Sequence, residues 1–265
     1  MNGKTVLITG ASGGIGAGMA RLFAHHGATV AVHYRTKEEG ATTVVKDIVA
    51  EGGRATKFYA DLRSEKAINR MVSEVVKALG PIDCLINNAG IVLKTYLEDT
   101  SAELWDDIFN INLRAPHLLS RAVLPHLREG ACVIHNTSIH AKNSAQNFGA
   151  YAASKTALES LARVQALEWA DRGIRVNCIA PGVVPVERTD TALQATADIW
   201  VPHIPAGRYG TVKEIAEMAV WLASSQASWV TGQSFVVDGG MTARIDMPKR
   251  DRLPAPESPD PVIDD

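Results

Sequence analysis

The chain has 265 residues, 46% of them hydrophobic, which suits one large α/β domain with a sizeable core. Its 27 basic and 29 acidic residues are interspersed and leave a formal net charge of −2, with no basic block to follow a nucleic-acid backbone or an anionic membrane. Neither an HExxH nor a Cys/His cluster with metal-ligand spacing occurs, and no apolar run approaches the ~18 residues of a membrane span.

The β-branched run at 5–9 predicts a first strand, and the glycines after it lead into a helical stretch at 16–27 closed by Gly27. A phosphate placed at such a turn meets free backbone N–H groups and the positive end of a helix dipole. Gly10, Gly14 and Gly16 let the backbone turn tightly and approach a pyrophosphate, with Ser12 and Ile15 in the same turn. A second strand at 29–33 is followed by Tyr34 and Arg35, and a third at 55–60 by Asp61 and Leu62. The helix predicted over 67–80 stops at Gly80 and Pro81. A fourth strand over 84–88 runs into Asn88, Ala89 and Gly90, and a fifth at 132–136 is followed by Ser138.

Residues 151–171 read as a helix that opens on Tyr151 and Lys155, four positions apart and therefore on one face. Two neighbours on a wet helix face is the plain reading of that pair. Taken together they permit chemistry, because a nearby ammonium favours phenolate and pulls a tyrosine down from its ordinary value of about 10. A sixth strand at 175–180 ends at Pro181 and Gly182, and a seventh is predicted at 234–238. Between them, 183–210 carries Pro185, Pro202 and Pro205 and reads as a functional lid over a substrate site. Residues 242–265 hold five of the twelve prolines and predict a tail, disordered or laid on another subunit.

Strand and helix alternate throughout, and the strands are apolar along their length. The expected fold is α/β: one doubly wound Rossmann-type parallel sheet of about seven strands over residues 1–241, with helices on both faces. Ligands of such sheets bind beyond the carboxyl ends of the strands, where the small and polar residues named above fall. Cys84, Cys132 and Cys178 are odd in number and embedded in apolar runs, which predicts buried free thiols in a reducing compartment and a cytoplasmic protein.

The pattern TGxxxGxG at 9–16, NNAG at 87–90, Asn112 in NINL, Ser138, YxxxK at 151–155, PG at 181–182 and VDGG at 237–240 resembles the short-chain dehydrogenase/reductase family. The resemblance runs from residue 4 to about 241 and favours the shorter, single-domain branch. It implies that Tyr151 transfers a proton while hydride passes between nicotinamide and the substrate carbon. It further implies that Ser138 hydrogen-bonds the substrate oxygen, that Lys155 also holds the nicotinamide ribose, and that Asn112 helps to position a relaying water. Pro181, Gly182 and Val184 would line the nicotinamide end. Two positions depart from the family's habit: Val186 stands where a cofactor-contacting threonine is frequent, leaving Thr189 as the nearest hydroxyl, and Gly13 stands where a basic residue often meets a 2′-phosphate.

The slot after the second strand, acidic in NAD-preferring members, holds Tyr34 with Arg35 next to it, so NADP(H) is expected over NAD(H). The resemblance implies a small carbonyl or alcohol substrate, no nucleic-acid or membrane partner, and a homo-oligomer, a tetramer by habit of the family. The closing segment resembles both glucose 1-dehydrogenases and 3-oxoacyl-[acyl-carrier-protein] reductases. A sugar or polyol is favoured because Arg114, Arg121 and Lys142 form no basic run for an acidic carrier. A silent NAD(P)-sensing module is the remote alternative, and the presence of both Tyr151 and Lys155 argues against it. Trp200, Tyr96, His140 and Phe148 are candidates for the substrate pocket.

Overall fold

The computed structural model describes residues 1–187 and 189–243, so the tail expected at 242–265 lies almost wholly outside the described residues. Seven strands alternate with helices: β1 (Thr5–Ile8), α1 (Gly14–His25), β2 (Thr29–Tyr34), α2 (Glu38–Ala50), β3 (Arg54–Tyr59), α3 (Glu65–Leu79) and β4 (Ile82–Asn87). There follow α4 (Ala102–Phe109), a π-helical turn over Asn110–Arg114, α5 (Ala115–Val123), β5 (Leu127–Asn136), α6 (Gly149–Glu168) and β6 (Arg175–Pro181). The chain closes through α7 (Asp190–Gln194), α8 (Ala197–Trp200), α9 (Val212–Ala223) and β7 (Ser234–Val237). All neighbouring strands are parallel, in the order β3-β2-β1-β4-β5-β6-β7.

Side-chain alternation along the strands divides the core into two layers. Val6, Ile8, Val30, Val32, Cys84 and Ile86 are buried on the side covered by α1, α2 and α9. Leu7, Ala31, Leu85, Val133, Val176 and Cys178 are buried on the side of α3, α5 and α6. Because both faces are covered, the central strands β1, β4 and β6 are buried nearly throughout and read as continuous apolar runs, whereas the edge strand β3 carries Arg54 and Lys57.

The order reverses between β1 and β4, where successive connections leave in opposite directions and open a crevice at the carboxyl edge. The 183–210 connection is more structured than a plain lid: it carries α7, α8 and a further turn at Val201–His203. Cys84, Cys132 and Cys178 are free and buried. Among the described residues, no helix is long and apolar enough to cross a membrane, and no group of three or more His, Cys, Asp or Glu is placed to hold a metal ion.

Candidate active site

A cavity of about 530 Å³ follows the carboxyl edge from the β1 turn to the start of α6. Its floor is the glycine turn. Gly10 has φ +62°, and a Cβ there would stand 3.0 Å from the Ala89 Cα; a Cβ on Gly16 would come within 2.5 Å of both Asn88 Nδ2 and the Gly10 carbonyl oxygen. Only glycine allows α1 to pack so close to the β4 turn. Gly16 itself is therefore behind the wall, whereas Gly10, Ser12, Gly14 and Ile15 line it. The turn is clamped from β2: the Gly10 N–H donates to His33 Nδ1 at 3.0 Å, and His33 Nε2 lies 3.1 Å from the Ala60 carbonyl oxygen. These partners assign the tautomer protonated on Nε2. Burial lowers the His33 pKa to about 4, so the ring is neutral and free to accept.

The first N–H of α1 already meets an anion. Gly14 N–H donates at 2.9 Å to a carboxylate oxygen of Glu187, which reaches over from the segment after β6. This contact is a direct test of whether the turn fits the diphosphate that the fold implies: the site accepts an anionic oxygen at a helix N-terminus, beside a glycine whose missing side chain leaves room. A dinucleotide seated there must displace Glu187. Glu187→Gln is therefore expected to tighten NADPH binding roughly two- to fivefold, the equivalent of the ~0.3–1 kcal/mol of a charge at an exposed helix terminus. Titration of NADPH fluorescence checks this, and equal or weaker binding would show that the carboxylate does not compete.

At the other side of the turn, Arg35 lines the cavity together with Thr36 and Lys37. Tyr34 does not. Residues 30, 32 and 34 point to the α1/α2 layer, so the Tyr34 ring meets Tyr59 edge-on at 5.8 Å and its hydroxyl engages Glu38. His33 and Arg35, one residue to either side, reach the cavity wall. Asp61 is also off the wall: its carboxylate accepts the Arg63 backbone N–H at 3.0 Å and faces the Arg63 guanidinium at 3.6 Å. Leu62, beside it, lines the cavity, as do Asn88, Ala89 and Gly90. The Asn88 side chain serves the architecture, donating to the Thr9 and Gly10 carbonyls and accepting from Asn136 Nδ2.

The far end gathers Ser138, Tyr151 and Lys155 on one wall. Ser138, in extended backbone, accepts the His140 N–H on its Oγ at 3.1 Å, which leaves its own O–H to donate. Tyr151 and Lys155 occupy the first two turns of α6, with the Lys155 nitrogen 5.8 Å from the Tyr151 ring centre. Lys155 is buried and donates to the Asn136 carbonyl at 2.8 Å; burial lowers its pKa to about 8. Its ammonium form still dominates at pH 7.

Asn112, fully buried in the π turn, does not line the cavity. Its amide oxygen accepts the Ile91 N–H, and its nitrogen donates to the Ile91 carbonyl and to Ser154 Oγ. In this position the side chain braces the 88–91 turn behind Lys155. Pro181, Gly182 and Val184 line the cavity beside the segment that carries Glu187. The Thr189 hydroxyl is spent locally, accepting the Val186 N–H and donating to the Val186 carbonyl.

Sequence reasoning missed Lys37, Glu187, Leu193 and the 91–92 segment on the wall. Lys37 had a signal, as the second basic residue in the Arg-Thr-Lys run after β2. The others lie in connections without periodicity. Of the pocket candidates, His140 and Phe148 are on the wall, their rings stacked at 4.2 Å, while Tyr96 and Trp200 are not.

This sheet order, glycine turn and Ser–Tyr–Lys wall define an oxidoreductase of the Rossmann type. The family model described as enoyl-(acyl carrier protein) reductase matches residues 10–242. Among curated relatives, 3β-hydroxysteroid dehydrogenase 1 of Eggerthella lenta is 37% identical, covering 91% of this chain and 95% of its own. Glucose 1-dehydrogenase 2 of Bacillus subtilis is 32% identical over 91% and 96% of the two chains. Among solved structures, a dehydrogenase/reductase from Sinorhizobium meliloti superposes with a TM-score of 0.88 at 38% identity, covering 91% of this chain and 96% of that one. A short-chain dehydrogenase from Burkholderia cenocepacia in complex with NADP gives 0.87 at 33% identity, covering 91% and 98%. The chain belongs to the short-chain dehydrogenase/reductase family.

Proposed function

We propose that this protein interconverts a secondary alcohol and a ketone with NADP(H), as a cytoplasmic homo-oligomer and, by the resemblance, a tetramer. The observation that carries the proposal is the single wall on which Ser138, Tyr151 and Lys155 meet, in the same crevice that the glycine turn lines. The nicotinamide, when bound, supplies or accepts the hydride. Ser138 donates its O–H to the substrate oxygen, and Tyr151 gives the proton to that oxygen in reduction or takes it in oxidation. Lys155 holds positive charge beside the phenol, kept there by Asn136. A silent sensing module would not need that wall.

NADP(H) is assigned over NAD(H) because Arg35 and Lys37 stand together on the rim, and a guanidinium takes phosphate oxygens in charge-assisted pairs. Lys37 supplies the second basic group that Gly13 withholds. Arg35→Ala is expected to weaken NADPH roughly ten- to a hundredfold, as for a charged hydrogen bond of about 1.5–3 kcal/mol, and to leave NADH almost unchanged. Equal losses for the two cofactors in binding titrations would remove Arg35 from the phosphate.

The wall also bears on the substrate. His140 stacked on Phe148, with Val92 and Leu193, makes the surround largely apolar, and the nearby Asn112 and Thr189 groups are committed within the protein. Hydroxyls of a sugar would find few partners there, and each unmade hydrogen bond costs about 1–3 kcal/mol. The wall therefore favours a ketone with apolar flanks over the sugar or polyol that the lack of a basic run had favoured. An acyl-carrier substrate is disfavoured too: Arg121 pairs with Glu65, Lys142 with Glu159, and Arg114 donates to the Arg63 carbonyl. Oxidation of NADPH by trans-1-decalone, an acetoacetyl thioester and, in the reverse direction, reduction of NADP by D-glucose separate these readings. Turnover of none of them with bound NADPH would contradict the proposal.

A further inference from the structure

Glu159 is a buried carboxylate that the chemistry above does not use. It lies on α6, two turns beyond Tyr151 and one beyond Lys155, and its side chain is only 4% exposed. One oxygen accepts the Lys142 ammonium at 2.7 Å; the other accepts the hydroxyls of Thr137, at 3.3 Å, and of Ser234. Thr137 and Lys142 are the two ends of the short strap that leaves β5, and Ser138 lies between them. The strap is tied once more to the helix where Thr156 donates to the Ala141 carbonyl at 3.2 Å.

We infer that Glu159 and Lys142 form a latch that fixes Ser138 against Tyr151, making both of them positioning residues for the reaction. The inference rests on the role given to Ser138 above. One carboxylate grips both ends of the strap from the helix that carries the tyrosine, so the separation of the two hydroxyls is tied at both ends of the strap to one side chain. Without the charge pair, the strap keeps its Thr137 anchor and the single neutral hydrogen bond from Thr156 to Ala141 but loses its charged distal anchor, and Ser138 gains freedom. Reacting groups tolerate little of that, since a misplacement of about 1 Å can cost on the order of a hundredfold in rate. A merely architectural role, joining α6 to β7 through Ser234, would alter stability and leave turnover per folded molecule intact.

The test uses the full chain with Lys142→Met, Lys142→Arg, Glu159→Gln and the double variant. The expected result is a fall in kcat of roughly tenfold or more for Lys142→Met and Glu159→Gln with the fastest ketone of the panel above. The double variant should be no worse than Glu159→Gln alone, because one interaction is removed in all three. Lys142→Arg should restore most of the rate, and the NADPH dissociation constant should stay within about twofold throughout, because neither residue lines the cavity. Lys142 is 39% exposed, so its substitution keeps the test available even if Glu159→Gln folds poorly. Near-normal kcat in Lys142→Met, alongside an inactive Ser138→Ala, would overturn the latch alone. Full activity of Ser138→Ala would overturn the reading beneath it as well.

Discussion

Tyr151→Phe is expected to lose most of its turnover, within the ~10²–10⁴-fold range of general acid–base catalysis, while binding NADPH as tightly as the parent. The substitution keeps the ring that packs against His140 and Phe148 at 5.9 and 6.2 Å and removes only the hydroxyl. Stopped-flow reduction of the best ketone and a binding titration check the two halves separately; more than a tenth of the activity remaining would reassign the acid. The wild-type reduction rate should also fall as pH rises through about 8. Lys155 sheds its ammonium there, because burial has lowered it, and without that charge the Tyr151 phenol is a weaker acid that gives its proton less readily to the substrate oxygen. Stability moves the opposite way. Between about 8 and the ordinary lysine value the unfolded chain binds a proton that the folded chain does not, so folding gains as pH rises through that interval.

The second large effect is acid lability. His33 and His135 are both buried, and burial lowers each to about 4. Both are held neutral by paired partners: His33 between Gly10 and Ala60, His135 between Asn87 and the Gln165 side-chain oxygen at 2.8 Å. A histidine whose folded pKa is depressed costs stability as pH falls from its unfolded value toward its folded one, because the unfolded chain alone takes up the proton. At about 1.36 kcal/mol per pH unit, each ring withdraws up to ~3 kcal/mol between pH 6.5 and 4. His140, also lowered by burial, adds in the same direction. Urea unfolding at pH 6.5, 5.5 and 5 should therefore lose stability at about 2 kcal/mol per pH unit near pH 5, above the range in which carboxylates contribute. His33→Gln should flatten that slope by about half; a slope indifferent to the variant would remove His33 from the account.

The strands, the glycine turn and the Tyr–Lys pair were legible because each is dictated locally, by β-branched runs, a helix entry and a four-residue spacing. Tyr34 was misplaced on the cofactor wall for a reason that was also legible. Alternation along β2, which ends at Tyr34, turns that ring to the α1/α2 layer beside Tyr59, and the wall takes His33 and the first residue past the strand, Arg35, instead. Asp61 was placed beside the cofactor by its position after β3, but nothing in sequence tells that its carboxylate folds back onto Arg63. Asn112 was found through resemblance, whereas the π turn that sends its amide to Ile91 leaves no periodic trace. Glu187 and Leu193 come from the 183–210 connection, whose path depends on packing between distant elements.

The strap between Thr137 and Lys142 sets unequal evolutionary freedom around the cavity. Three connections line the cavity beside α6: the segment after β4 with Val92, the strap with His140, and the segment after β6 with Leu193. The last can accept insertions and new side chains without disturbing the helix that carries Tyr151, whereas the first is bridged to the start of that helix through Thr95 and Phe148, with the Thr95 N–H donating to the Asn147 carbonyl at 3.0 Å. The strap cannot drift in length, because both of its ends are held by one glutamate on that same helix. New substrate preferences in descendants of this molecule should therefore be written in the segment after β6, while the other two are inherited with the helix that carries Tyr151.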